Sequence, residues 1–285
     1  MSGLLGVPLG GSGGAAGSAR ARYGRAMQLW ADGVISPAQL EGYRVAAADD
    51  LRPPSQVLGD RGLPLPEDAA LAPGAAIAAL LGEADLYLAG LSGPGVAEAR
   101  AGLARWRGGP VTLAVGVHPV VDAHLAVALA TMIDHPGLAG AIAAAAPHLA
   151  WGSYDGYGEE IGAGFAQGHA YASLMGQDHS SIPADGFDFG LFLMAPHVLY
   201  RDHAHAAPEL YAPLTGPHGW RFGMGRPLVI KPAHVPVWNP SFQPHLTKVG
   251  WVPFLSFYAW TCDVMAPAHV ITAKDWPELE ALHLG

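Results

Sequence analysis

One short stretch holds most of the residues that could do chemistry: His203-Ala-His205-Ala-Ala-Pro-Glu209-Leu-Tyr211. Six of the chain's 14 histidines lie between positions 197 and 245. His203 and His205 are two apart, and on a β-strand such residues project to the same face. Two imidazoles on one face can bind one metal ion together. Glu209 and Tyr211 repeat the spacing, and Pro208 is placed to turn the chain so that Glu209 returns to the ion. A fourth ligand is expected from a later strand. Asn239-Pro-Ser-Phe-Gln-Pro-His245 supplies one after a Pro-punctuated loop. His234, in Lys231-Pro-Ala-His234, competes for that place, and His245 is preferred because it stands just before a strand pair.

Three imidazoles and one carboxylate leave open positions on a five- or six-coordinate Zn, Fe, Mn, Co or Ni ion. Such a site is catalytic in type rather than closed and structural. A lone histidine here would be read as a core or surface residue. The combination of His-x-His-x-x-x-Glu, a Gly216 expected to close a hairpin, and a later Pro-His carries the metal reading. His197 and His218 are read as polar pocket or surface residues, and His118, His124, His135, His148 and His169 are too scattered to nominate.

The rest of the chain narrows the function classes. The formal net charge is −9, with 15 Lys and Arg against 24 Asp and Glu. No basic cluster is available to neutralise phosphates, so nucleic acid is not an expected partner. The single cysteine, Cys262, allows no internal disulfide and is expected to be a small buried hydrophobe. The N-terminal stretch has no basic region ahead of its short apolar run, and Gly and Pro interrupt that run, so a secretory signal is not expected. The longest apolar stretch, Leu125 to Leu149, is broken by Asp134, His135 and Pro136, which argues against a membrane span. The expected location is the cytoplasm.

The elements that must position the histidines divide the chain. Residues 1–17 are rich in Gly, Ser and Ala and are expected to be disordered. Residues 18–150 read as a helical N-terminal region. Helices are predicted over Ala19–Ala31, over Pro37–Leu51 behind a Ser36 cap, and over Ala69–Leu81 with an interruption at Pro73-Gly74. Further helices are predicted over Gly95–Trp106 and over Ala123–Leu149, the last split at His135-Pro136. The Pro53–Pro66 stretch reads as a linker, and Val111–Val117 as a strand or a buried turn.

After residue 150 the composition turns to Gly, aromatic and β-branched residues. Strands are predicted over Phe187–Ala195, Val198–His205, Leu210–Leu214, Trp220–Phe222, Leu228–Ile230 and Phe254–Thr261. Short strands at this spacing imply a sandwich or barrel over 151–285. A final helix over Trp276–His283 is predicted from Asp275 and Glu278, which approach a capping-box pattern. The helices carry no obvious chemistry. They are expected to cover the barrel, and they offer a surface on which a homodimer could form.

His203-x-His205-x-x-x-Glu209 ending at Gly216 resembles the first cupin motif. The fuller pattern, with Tyr211 and Leu214, resembles that of the cupin-type dimethylsulfoniopropionate (DMSP) lyases. Phe189–Pro196 is similar to the strand leading into that motif. Tyr200 stands five residues before His205, where those lyases place a pocket tyrosine. Pro240–His245 is similar to their second motif and Phe254–Trp260 to the strand after it. The resemblance spans roughly residues 168–264 and implies a double-stranded β-helix, or jelly-roll barrel, α+β overall with its helical extension. It also implies a small-molecule substrate.

DMSP carries a carboxylate and a sulfonium leaving group on its β-carbon. Cleaving it needs a Lewis acid for the carboxylate, a base, and a wall that tolerates a cation. The resemblance implies that Tyr211 is the base, with Tyr200 the alternative. A free phenol has a pKa of about 10, which a nearby metal cation would lower. Tyr200, Trp220, Trp238, Phe257, Tyr258 and Trp260 are candidates for the aromatic wall, by attractions of about 0.5–2 kcal/mol each. The competing expectations are a cupin dioxygenase or isomerase for another small carboxylate, and a non-catalytic cupin that binds a ligand.

Overall fold

The computed structural model describes residues 18–49, 52, 54–64, 66, 72–115 and 117–284. The stretch 1–17, expected to be disordered, lies outside the described residues. Among the described residues seven α-helices come first: α1 (Ser18–Ala31), α2 (Pro37–Asp49), α3 (Pro54–Gly59), α4 (Pro73–Ala89), α5 (Val96–Leu103), α6 (Pro119–Thr131) and α7 (Pro136–Ala145). A short α8 (Ala163–Gly168) leads into the strands.

Local chemistry sets several of these boundaries. Ser36 and Gln39 cap α2 reciprocally. The Gln39 N–H donates to Ser36 Oγ at 3.2 Å, and the Ser36 N–H donates to Gln39 Oε1 at 2.9 Å. Pro73 does not interrupt a helix, as the sequence suggested, but begins one, because the first turn needs no N–H from it. The same property lets Pro54 start α3 inside the expected linker. Residues 111–115 and 117 form neither a strand nor a buried turn. Thr112 and Ala114 donate their N–H groups to Ser181 and His148, and Leu113, Val115 and Val117 are exposed. No helix among the described residues is long and apolar enough to cross a membrane.

Eleven strands follow: β1 (His169–Gly176), β2 (Ile182–Pro183), β3 (Asp188–Met194), β4 (Leu199–Ala204), β5 (Glu209–Pro213), β6 (His218–Phe222), β7 (Val229–Lys231), β8 (Val237–Asn239), β9 (His245–Lys248), β10 (Phe254–Trp260) and β11 (His269–Val270). They form a six-stranded sheet ordered β2-β1-β3-β10-β5-β8 and a five-stranded sheet ordered β11-β4-β9-β6-β7. Apart from β1 with β2, the pairings are antiparallel, and the chain changes sheet at every connection from β3 to β6 and from β7 to β11. Together the sheets make a cupin barrel.

Gly216 therefore closes no hairpin. It lies on the crossing from β5 to β6, where a Cβ would sit 2.4 Å from the Ala233 amide nitrogen.

Side-chain alternation in the six-stranded sheet separates two environments. Phe189, Leu191 and Leu193, Leu210 and Ala212, and Leu255, Phe257 and Ala259 point outward into one core with Ile77, Leu80 and Leu88 of α4, Ala99 of α5 and Leu129 of α6. Phe192, Met194, Tyr211, Phe254 and Tyr258 point inward, with Tyr200 and Trp220 from the opposite sheet. The helices thus cover the sheet's outer face and leave its inner face to the barrel.

The final helix, α9 (Trp276–Ala281), is not held by a capping box. Asp275 makes no side-chain cap and instead accepts from Arg221 Nη1 at 2.5 Å. Arg221 also pairs with buried Asp202 of β4, and Trp276 Nε1 donates to Asp202 at 2.8 Å. Cys262 is exposed rather than buried, because it lies just past the end of β10.

Candidate metal centre and active-site cavity

His203 on β4 and His245 at the start of β9 are directly paired across the five-stranded sheet. His205 follows as the chain leaves that sheet, and Glu209 is the first residue of β5 in the other. The crossing 205–208 thus brings candidate ligands from both sheets to one place. The ligating nitrogens of His203, His205 and His245 all lie within 4.8 Å of one another. His234, the sequence's rival for the last place, sits elsewhere, with Nδ1 3.0 Å from the Tyr87 hydroxyl and its ring against His135.

Each imidazole of the cluster has the same arrangement. Nδ1 contacts a backbone carbonyl two residues away: Arg201 at 2.8 Å for His203, Ala207 at 2.7 Å for His205 and Gln243 at 2.9 Å for His245. A carbonyl can only accept, so Nδ1 carries the proton and Nε2 keeps its lone pair. All three Nε2 atoms are buried without a hydrogen-bond partner. Three orphaned acceptors aimed at one point suit a metal ion, which would satisfy all three. Burial first, and then its two histidine neighbours, hold the His203 pKa well below its ordinary value, so that ring is neutral and ready to ligate.

Glu209 stands beside the three imidazoles. Its Oε2 lies 3.4 Å from both His205 Nε2 and His245 Nε2. Burial works against charge on both Glu209 and His205, but the two draw each other toward an ion pair, which raises the His205 pKa and, with His245, holds that of Glu209 well below the ordinary carboxylate range. A proton so held at His205 Nε2 is one that a bound cation would displace. Asn239 Nδ2 donates to Oε2 at 3.1 Å and Trp260 Nε1 to Oε1 at 2.8 Å. These two donors fix the carboxylate plane.

A cavity of about 340 Å³ opens beside the centre, lined on this side by Tyr200, Glu209, Tyr211 and Trp260. Cross-strand register explains the lining. Glu209, Trp260 and Asp188 form one row across β5, β10 and β3, and Tyr211, Tyr258 and Gly190 form the next. Tyr211 is buried beside Glu209. Burial, and then the negative charge of that carboxylate, push its phenol well above the ordinary value. Tyr200 is stacked on His203 at 3.8 Å between ring centroids, and its hydroxyl is 2.7 Å from that of Tyr157.

The structure brings Tyr200, Tyr211, Tyr258 and Trp260 to the cavity but not the other expected aromatics. Trp220 is fully buried against Tyr211 and Phe254 behind the lining. Trp238 lies over Gly95, where a Cβ would be 2.2 Å from its ring, so it packs toward the helices. Phe257 faces the outer core. Tyr154, Tyr157, Tyr171, Ser173, Asp188 and Asn239 were missed. Apart from Asn239, which directly precedes the Pro240–His245 motif, they belong to strands, loops or registers with no motif around them. The cross-strand position of Asp188 opposite Trp260 could be found only from the pairing.

The family model for dimethylsulfoniopropionate lyase matches residues 114–256. Two solved structures share the fold. One is described as "Crystal structures of DMSP lyases RdDddP and RnDddQII". It is 19% identical, covers 70% of this chain and 100% of that one, and has a TM-score of 0.52. The other, DMSP lyase DddQ from Ruegeria pomeroyi DSS-3, is 22% identical, covers 70% of this chain and 97% of that one, and has a TM-score of 0.51. No curated protein matches the chain.

Proposed function

The chain belongs to the dimethylsulfoniopropionate lyase family, and from that premise we propose that this carbon–sulfur lyase cleaves DMSP to dimethyl sulfide and acrylate in a metal-dependent β-elimination with Tyr211 as general base. The observation that carries the reading is the set of three buried, unpartnered Nε2 atoms converging beside Glu209 and Tyr211. His203, His205, His245 and Glu209 would hold a divalent transition ion such as Zn, Fe, Mn, Co or Ni. When bound, the cation supplies the positive charge that offsets Glu209, favours the Tyr211 phenolate and attracts the substrate carboxylate.

The chain's own residues do the rest. Tyr211 takes the proton from the carbon next to the substrate carboxylate. The electron pair left there forms the carbon–carbon double bond of acrylate, and the carbon–sulfur bond breaks with its pair on sulfur, releasing neutral dimethyl sulfide. Tyr200 is less suited as the base, because its ring is fixed between His203 and Phe165 and its hydroxyl is bonded to Tyr157. The aromatic rings of Tyr258 and Trp260 provide a face that a sulfonium tolerates.

Tyr211→Phe tests the assignment when metal content is measured alongside turnover. Release of dimethyl sulfide is expected to fall by roughly 10²–10⁴-fold, the usual worth of a general base, with bound metal unchanged. Wild-type turnover in a fully metallated Tyr211→Phe protein would remove the base role from this residue.

A further inference from the structure

The cavity is acidic in a way the elimination does not require. Asp178, Asp188 and Glu209 line it, and no lysine or arginine is among its described lining residues. Glu209 belongs to the metal centre. Asp188 does not: it lies two strands away on the row Glu209–Trp260–Asp188, a Cα separation of about 10 Å at the usual strand spacing.

Asp188 is built into the wall rather than left loose on it. Ser173 Oγ donates to Oδ1 at 2.6 Å, and Tyr258 Oη donates to the same oxygen at 3.1 Å. Oδ2 takes no hydrogen bond from the described residues. Gly190 makes this possible. A Cβ there would sit 2.8 Å from Tyr258 Cε1 and 2.1 Å from the Ala172 carbonyl oxygen, so bare backbone gives the Tyr258 ring its room. A half-buried carboxylate held by two neutral donors and no cation lacks a countercharge.

We propose that Asp188 is the counter-ion for the sulfonium end of the substrate, so that the cavity selects zwitterions whose cationic group stands two carbons from a carboxylate. This rests on the lyase reading for the other end of the molecule, where the substrate carboxylate meets the metal centre. Asp188, Tyr258 and Trp260 then surround the cation with one charge and two aromatic faces, and the row of three strands gives the substrate its direction. Burial moves the Asp188 pKa up to about 6, only partly opposed by Ser173 and Tyr258, so the carboxylate is charged at neutral pH.

The test compares two unreactive isosteres of DMSP by calorimetry on metal-loaded protein. One is 3-(trimethylammonio)propionate, which keeps the cation, and the other is 4-methylpentanoate, which is neutral at that end. Wild type should bind the cationic isostere more tightly. Asp188→Asn, which keeps an acceptor for Ser173 and Tyr258, should lose about tenfold for the cation and nothing for 4-methylpentanoate. Unchanged binding of the neutral isostere shows that the variant is folded and its metal centre intact. Asp188→Glu should keep part of the preference. Equal affinities in wild type, or a preference that survives in Asp188→Asn, would overturn the counter-ion role even if DMSP is cleaved. Failure of wild type to cleave DMSP, with the preference present and lost in Asp188→Asn, would remove the lyase reading and leave the cation subsite standing.

Discussion

The three imidazoles of the centre are oriented by backbone carbonyls two residues away, which fixes the tautomer before any ion arrives. His205→Ala should therefore lose metal and activity together, as read by elemental analysis and turnover. A full metal complement in that variant would refute the ligand set. Asn239 acts one contact further out, by holding Glu209 Oε2. Asn239→Ala should weaken metal affinity by roughly 10–100-fold, the usual cost of losing such a partner, as measured by competition with a chromophoric chelator. The candidate ligands could be nominated from the sequence, because two-residue spacing on a strand and a Pro-punctuated loop are local signals. The bonds from Asn239 and from Trp260, nominated only for the aromatic wall, to Glu209 were not, since each arises only through strand pairing.

Among the elements, the strands of the six-stranded sheet are buried on both faces, so their sequences run apolar without clean alternation. That pattern marked β3 and β10 but said nothing of which residues face the cavity. Phe257 and Tyr258 are neighbours in sequence and belong to opposite cores. Short β8 and β9 were not predicted as strands, because three or four residues give too little period to read, and β1, buried at seven of its eight positions, lacks the polar alternation that would mark it. The helices were placed better, since their caps and prolines are local. Helix α5 meets the sheet so closely that a Cβ on Gly102 would lie 2.2 Å from the Phe187 ring. Phe187 is fully buried, so Gly102→Ala should cost about 1–3 kcal/mol by overpacking. The drop should appear in thermal melts, with the metal content of the folded fraction unchanged.

Across the whole molecule, helices α4–α7 share one hydrophobic core with the outer face of the six-stranded sheet, while α1–α3 pack around a smaller core of their own. Two fully buried histidines at the starts of strands tie stability to pH. His169 accepts the Tyr154 N–H at Nε2, and His218 accepts the Gly250 N–H at Nδ1. Burial pushes both pKa values down from 6.5 to about 4. The folded state therefore resists protonation. This contribution is complete above about pH 6.5, is lost as pH falls toward 4, and amounts to about 3 kcal/mol for each residue. Melting temperature should decline across that window, and His169→Gln should give a shallower slope in metal-stripped protein. An equally steep slope in the variant would contradict the assignment.

The most direct test of the account is headspace dimethyl sulfide from the metal-loaded chain given DMSP, with a chelator-treated sample in parallel. Release that disappears on chelation and returns when metal is restored is the expected result. No release with any of Zn, Mn, Fe, Co or Ni, or release that persists after complete metal removal, would contradict it.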